Sequence, residues 1–215
     1  MSLSRSRLRP STLVLKRVVD VGLAAAGLIA LLPLLLMIAS IIKIDSRGPI
    51  LFKQRRLGEY GREFTMLKFR TMTVGAEDLG TGLFSYENDP RVTRVGHVLR
   101  RYSLDELPQL WNVLYGVMSI VGPRPPVSYE LGPYEDFTPE MRIRFTVKPG
   151  ITGLAQVSGR NDLTWPEKIV HDNEYLKRLS RHGVLEDLRI IWATIRLVVS
   201  AEGVIEPRRA SVEQT

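Results

Sequence analysis

The chain has 215 residues, 44% of them hydrophobic and 25% charged, enough to bury one sizeable core with attachments rather than two full domains. Its 30 Lys and Arg against 23 Asp and Glu give a formal net charge of +7, which favours anionic partners such as nucleic acid, lipid head groups or phosphorylated substrates. Cysteine is absent, which excludes disulfides, thiolate metal sites and a cysteine nucleophile and fits a reducing, cytosolic setting.

A basic tail over residues 1–12 leads into an uncharged run at 21–42, VGLAAAGLIALLPLLLMIASII. As a helix rising about 1.5 Å per residue it reaches about 33 Å, close to the roughly 30 Å hydrocarbon core of a bilayer. The run is longer than the apolar part of a cleaved signal. Arg5, Arg7, Arg9, Lys16 and Arg17 precede it, and Lys43, Arg47, Lys53, Arg55 and Arg56 follow it. The positive-inside rule therefore places both ends on the cytoplasmic side. Pro33, near the middle, lacks an N–H and crowds the preceding turn, which predicts a kink. A helix that enters, bends and returns satisfies both features; a single-pass helix with a tolerated proline is the alternative, and the residues alone leave the two open.

Beyond Asp45, apolar and basic pieces broken by glycines predict short strands or extended segments to about residue 72. Residues 74–93, rich in Gly, Asn, Asp and Pro, read as a surface loop. Residues 94–122 predict two helices separated near Ser103 and ending before Gly122-Pro123. The stretch VKPGITGLAQVSGR predicts a small hairpin or irregular turn unit. Two helices follow at 165–180 and 185–201. In the second, Leu188, Ile191, Trp192, Ile195, Val198 and Val199 recur at helical spacing, predicting a face packed on the core; a membrane-interfacial helix is the alternative. The expected fold is α+β, mainly helical with little sheet.

The chemistry centres on SLDELP, residues 103–108. A capping box would make Ser103 the N-cap and Glu106 its N3 partner, but Pro108 would then fall at the fifth helical position, where its N–H is needed. Asp105 is the earliest N-cap that keeps Pro108 among the first-turn orphan donors. Both acids then stand at a helix mouth, where N–H groups bind anions and a carboxylate pair can hold Mg2+. An aspartate, with a reference pKa of about 3.9, is ionised at pH 7 and ready to attack phosphorus. Its repulsion of a pyrophosphate would be offset by Mg2+ and by Arg100, Arg101 and Arg124, with Lys68 and Arg70 of LKFRTM behind them. Arg124 lies between prolines in VGPRPP, which lowers the entropy of presenting a guanidinium to phosphate oxygens; capping of the preceding helix is the equal alternative. His97, His171 and His182 lack metal-ligand spacing, and no P-loop, nucleophile elbow or dinucleotide fingerprint occurs.

KRVVDV ahead of an apolar helix with a central proline, then LKFRTM, SLDELPQLWNVLYGVMSIVGPRPP, KPGITGLAQVSGRN and HDNEYL, occur in that order. Over residues 16–199 this set resembles the monotopic phosphoglycosyltransferases, also called bacterial sugar transferases. The resemblance implies transfer of a sugar 1-phosphate from a UDP-sugar to a polyprenyl phosphate, usually undecaprenyl phosphate, with release of UMP. Such a step opens the membrane stage of bacterial exopolysaccharide, lipopolysaccharide or glycoconjugate synthesis, at the cytoplasmic face of the inner membrane. It also implies roles. Asp105 becomes the nucleophile of a covalent phosphosugar intermediate and a Mg2+ ligand, and Glu106 assists metal binding or acceptor activation. Lys68 and Arg124 become phosphate binders, Arg100 a contact for the lipid phosphate, Arg70 and Arg160 further substrate-binding residues, and Asp172 a supporting acid.

The implied organisation is a re-entrant membrane helix over 13–45 kinked at Pro33, a catalytic domain over 46–206 at the interface with membrane lipids, and a disordered tail over 207–215. Leu32 stands where the family often has a serine whose hydroxyl would satisfy a carbonyl freed by the kink. With no long hydrophobic region before Lys16, the chain resembles a minimal catalytic unit. A membrane-tethered binder of anionic lipid or nucleic acid is the competing class; no basic helix with interleaved aromatics is present, so nucleic acid is not an expected partner.

Overall fold

The computed structural model describes residues 8–76, 89–159 and 163–200. In chain order the elements are α1 (Pro10–Ala30), α2 (Leu32–Asp45), β1 (Leu51–Leu57), β2 (Glu63–Phe69), α3 (Arg94–Arg101), α4 (Gln109–Tyr115), β3 (Ser119–Val121), α5 (Pro139–Ile143), β4 (Gly150–Thr152), α6 (Leu154–Ser158), α7 (Trp165–His182) and α8 (Val184–Ser200). Among the described residues, sheet is confined to the antiparallel pair β1–β2 and the parallel pair β3–β4. The fold is therefore α+β and mainly helical, as the sequence predicts.

The apolar N-terminal run is two helices, α1 and α2, bent by 63°. Among the described residues no single helix is long and apolar enough to cross a membrane, whereas this bent pair meets the test together by length and composition. The break falls at Leu31 (φ −91°, ψ 0°), two residues before Pro33, which sits in the first turn of α2. The offset has a physical cause: proline withholds its N–H from the carbonyl four residues back and its ring crowds that turn, so the damage lies upstream of the ring. One face of α1 packs on α4, where Ala24 is fully buried beside Val113 and Gly27 leaves room for Leu110.

The KRVVDV segment of α1 ties the helix pair to the body. Lys16, read above as a flanking membrane charge, is buried, donating to Asp187 Oδ2 at 2.7 Å and to the Val121 carbonyl at 2.9 Å. Arg17 donates to the carbonyls of Val113 and Leu114 at the end of α4. Asp20 accepts from Ser119 Oγ at 2.8 Å and from the Ile120 N–H at 3.0 Å. Buried polar groups on one helix thus satisfy an otherwise orphaned helix end and a short strand.

Two expectations need correction here. VKPGITGLAQVSGR is not a hairpin: its first part is β4, paired in parallel with β3 so that Ser119 faces Gly150 and Val121 faces Thr152, and its second part is α6. The partner strand lies some thirty residues upstream, beyond any local turn signal. The glycines of the two segments serve close backbone approach, since a Cβ on Gly150 would collide with the Gly122 backbone nitrogen and the Thr152 carbonyl. Gly150→Ala is therefore expected to cost about 3 kcal/mol by overpacking, seen as a lowered unfolding midpoint of the purified protein in detergent.

The second correction concerns α8. Its predicted core face points outward: Leu188, Trp192, Ile195 and Val199 are exposed, while Glu186, Asp187 and Ile190 are buried and Ile191 is partly so. Polar pairing decides the orientation. Asp187 meets Lys16, and Thr194 Oγ1 lies 2.7 Å from Thr152 Oγ1.

Candidate active site

The acid pair is presented by a turn whose geometry differs from the sequence expectation. Asp105 is not a helix N-cap: residues Leu104–Glu106 form a 3-10 turn, Pro108 is the N-cap, and α4 begins at Gln109. The N–H groups of Glu106 and Leu107 are used inside the turn, by the carbonyls of Ser103 and Leu104, and those of Leu110 and Trp111 bond to Leu107 and Pro108. These four N–H groups are therefore not free to bind an anion. Proline, lacking an N–H and fixed near φ −61° here, suits the position where the tight turn hands over to the helix. Ser103 enters the turn with φ 54°, a left-handed conformation uncommon for a residue with a Cβ and the kind of local strain found beside working groups.

Side chains hold this turn against β2. Asn112 of α4 accepts from the Leu67 N–H at 2.9 Å and donates to the Thr65 carbonyl at 2.8 Å, pairing with the strand as a neighbouring strand would. Along β2, Phe64 and Met66 are buried on one face. Lys68 continues that face by the period-two rule and emerges from the apolar core at the acids.

There Lys68 Nζ lies 2.8 Å and Arg124 Nη2 2.9 Å from the same oxygen, Glu106 Oε1. Asp105 is 8% exposed, and its carboxylate accepts no hydrogen bond among the described residues. Burial lifts its pKa to about 6, with Lys68 opposing and Glu106 reinforcing the rise. Burial would raise Glu106 too, but Arg124 and Lys68 together reverse it and hold that carboxyl well below the usual range. Burial also lowers Lys68, partly offset by Glu106. Two adjacent acids thus acquire opposite tasks from their surroundings: Glu106 is a fixed anion clamping two cations, and Asp105 is an unclamped carboxylate, ionised at neutral pH yet more basic than an ordinary aspartate.

The turn faces a cleft of about 570 Å³. Lys68, Arg100, Asp105, Glu106, Arg124 and Asp172 line its charged part, so the structure brings together six of the residues singled out from sequence. Arg100 also donates to Thr71 Oγ1 at 2.9 Å. Arg70 does not line the cleft; it is buried, and its Nη2 donates to the carbonyl and hydroxyl of Ser46. Asp172, on α7, is 1% exposed and lies 2.9 Å from Arg144 Nε. Burial pushes its pKa up, against the pull of Arg144. Arg160 lies outside the described residues, as do 207–215.

Sequence reasoning missed Arg56 and Arg144, both at the cleft wall. Arg144 could have been noticed in RIRF: a guanidinium between two apolar neighbours of a core segment is buried only with an acidic partner.

Among the described residues no group of three or more His, Cys, Asp or Glu could by itself hold a metal. Mg2+, however, is commonly bound by one or two carboxylates together with substrate phosphates and water. With Glu106 Oε1 taken by two cations, Asp105 and the remaining Glu106 oxygen fit a site of that shared kind.

Residues 11–201 match the family model described as bacterial sugar transferase. Exopolysaccharide production protein ExoY of Sinorhizobium fredii (strain NBRC 101917 / NGR234) is 42% identical over 210 residues, covering 91% of this chain and 90% of that protein. UDP-glucose:undecaprenyl-phosphate glucose-1-phosphate transferase of Xanthomonas campestris pv. campestris is 45% identical over 192 residues, 86% of this chain and 37% of that protein. UDP-galactose-lipid carrier transferase of Erwinia amylovora is 37% identical over 217 residues, 94% of this chain and 44% of that protein. The chain thus spans nearly all of the first relative and less than half of the other two.

Proposed function

We propose a function from one premise: the chain belongs to the bacterial sugar transferase family. It transfers a sugar 1-phosphate from a UDP-sugar to polyprenyl phosphate, as the names of two relatives suggest, in the assembly of a bacterial exopolysaccharide or related glycan. The observation that carries the reading is Asp105, a buried carboxylate with no hydrogen-bond partner among the described residues, next to a glutamate clamped by two cations.

The chemistry follows from that layout. An Asp105 carboxylate oxygen attacks the β-phosphorus of the donor; the bond from that phosphorus to the bridging oxygen breaks, and UMP leaves with the electron pair. The sugar phosphate is then an acyl phosphate on Asp105. An oxygen of the polyprenyl phosphate attacks the same phosphorus, and the Asp105 carboxylate departs, regenerated. Arg124 and Lys68 balance the charge of the phosphoryl oxygens, and Glu106 holds both cations in place by staying ionised. Mg2+ bound by Asp105 and Glu106 together with the donor phosphates would supply further charge neutralisation for the leaving UMP. Arg100, on the cleft wall, would meet the acceptor phosphate. Arg70, bonded to Ser46 away from the cleft, has no direct part.

The reading carries a pH dependence. The attacking form is the ionised one, and the folded pKa of Asp105 is about 6. UMP release, measured as kcat/KM for the donor, is expected to be level above pH 7 and to fall about tenfold per unit below pH 6. A limb near pH 4 would mean an ordinary carboxylate.

Membrane attachment belongs to the same proposal. The bent α1–α2 pair re-enters the cytoplasmic leaflet and leaves on the side it entered. Val14, Val18, Ile29, Leu36 and Ile44 of the pair are exposed, as are Trp111 and Tyr115, a residue type enriched at the membrane–water interface. The decisive assay is a panel of UDP-sugars tested for UMP release with Mg2+ and undecaprenyl phosphate. One sugar or a small set is expected to be turned over, and silence across the panel would leave only a membrane-tethered binding role.

A further inference from the structure

The loop that carries Arg124 has an unusual anchoring problem. In Pro123-Arg124-Pro125-Pro126 three of four residues have no N–H, so the loop is anchored chiefly through its carbonyls. All four carbonyls are taken. Those of Pro123 and Pro126 accept from the backbone N–H groups of Gly150 and Leu57 at 3.0 Å each, and that of Pro125 accepts from Arg56 Nη1 at 2.8 Å. The Arg124 carbonyl accepts from Arg144 Nη2 at 2.6 Å.

Arg144 is itself held by an ion pair and by two aromatic rings. It is 2% exposed. Its Nε lies 2.9 Å from Asp172 Oδ2, and its guanidinium stacks over the rings of Phe145 and Trp165, 5.3 and 5.0 Å from their centroids. The planar fork lets one guanidinium face a carboxylate and a carbonyl at once, which an ammonium cannot reproduce.

We propose that Arg144, locked by Asp172, is a positioning residue that sets the reach of Arg124 over the phosphate subsite. A rigid chain of contacts runs from α7 to the nucleophile's neighbour: Asp172 to Arg144, Arg144 to the Arg124 backbone, and the Arg124 guanidinium to Glu106 Oε1 at 2.9 Å. The inference rests on the reaction proposed above, and it gives Asp172 a task its burial allows, that of holding a buried arginine.

The test is a double-mutant cycle on the full chain in detergent or nanodiscs. Arg144→Lys keeps a cation for Asp172 but loses the fork. It is expected to lower kcat/KM for the UDP-sugar by about tenfold to a hundredfold, as a small misplacement of a binding group does, with KM for the polyprenyl phosphate unchanged. Asp172→Asn is expected to move the same parameter in the same direction. In an Arg124→Lys background, where there is no guanidinium left to position, Arg144→Lys is expected to cost less than about twofold more. Equal losses in both backgrounds, or equal losses for donor and acceptor, would overturn the positioning role while leaving the transfer reaction standing. A wild-type chain that releases UMP from no UDP-sugar would overturn both.

Discussion

Asp105→Asn is expected to abolish UMP release, by at least about a thousandfold, because the amide oxygen is a poor nucleophile and a covalent route has no substitute for it. The same change is expected to stabilise the protein at neutral pH. In the folded state the Asp105 pKa is raised to about 6 from an ordinary 3.8, chiefly by burial, so the native state binds its proton more tightly than the unfolded chain does. Stability is therefore lost as pH rises from about 4 to about 6, and the full deficit, at most about 3 kcal/mol, is present above that window. Asparagine removes it. The unfolding midpoint of Asp105→Asn should exceed that of the wild type at pH 8, and the difference should vanish near pH 4. Loss of activity with a lower midpoint at pH 8 would mean that the carboxylate supports the fold.

The second large effect is structural. Lys16→Met is expected to cost about 3–5 kcal/mol, the usual consequence of removing one partner of a buried pair. Lys16 lies 2.7 Å from Asp187 and 3.9 Å from Asp20, and Tyr175 donates to Asp187 at 2.7 Å. Without the lysine two buried acids share one enclosed site with no cation beside them. Burial already pushes the Asp187 pKa up and Lys16 is the main force holding it down, so in the variant the Asp187 pKa should rise further. Adding Asp187→Asn should recover part of the loss. Thermal unfolding in nanodiscs measures both, and a loss under about 1 kcal/mol in the single variant would show that the pair is not what fastens α1 to α8.

The acid pair and Arg124 were legible in the sequence because each carries a local oddity, a proline too close to a capping motif and an arginine among prolines; Lys68 was legible through the LKFRTM segment. Short strands in the region of β1 and β2, and the helices α7 and α8, were legible from composition and periodicity. What escaped were the non-local choices. Helical spacing along Leu188, Trp192, Ile195 and Val199 reveals a stripe and does not say which face turns inward; Lys16, at the other end of the chain, decides that through Asp187. The parallel pairing of β3 with β4 leaves no turn between them to read. Pro33 marked the bend, while the break itself appears at Leu31, where the missing hydrogen bond and the ring's crowding are felt. RIRF hints that Arg144 is buried with an acid, but its contact with the Arg124 carbonyl is displayed by no residue pattern.

The central claim is a covalent phosphosugar on Asp105, and intact-protein mass spectrometry tests it most directly. Full-length protein incubated with Mg2+ and the UDP-sugar it turns over, in the absence of polyprenyl phosphate, should gain the mass of one sugar phosphate, located to the peptide containing Asp105. Adding polyprenyl phosphate should clear it. An unmodified protein that releases UMP only when both substrates are present would contradict the account and point to direct transfer in a ternary complex.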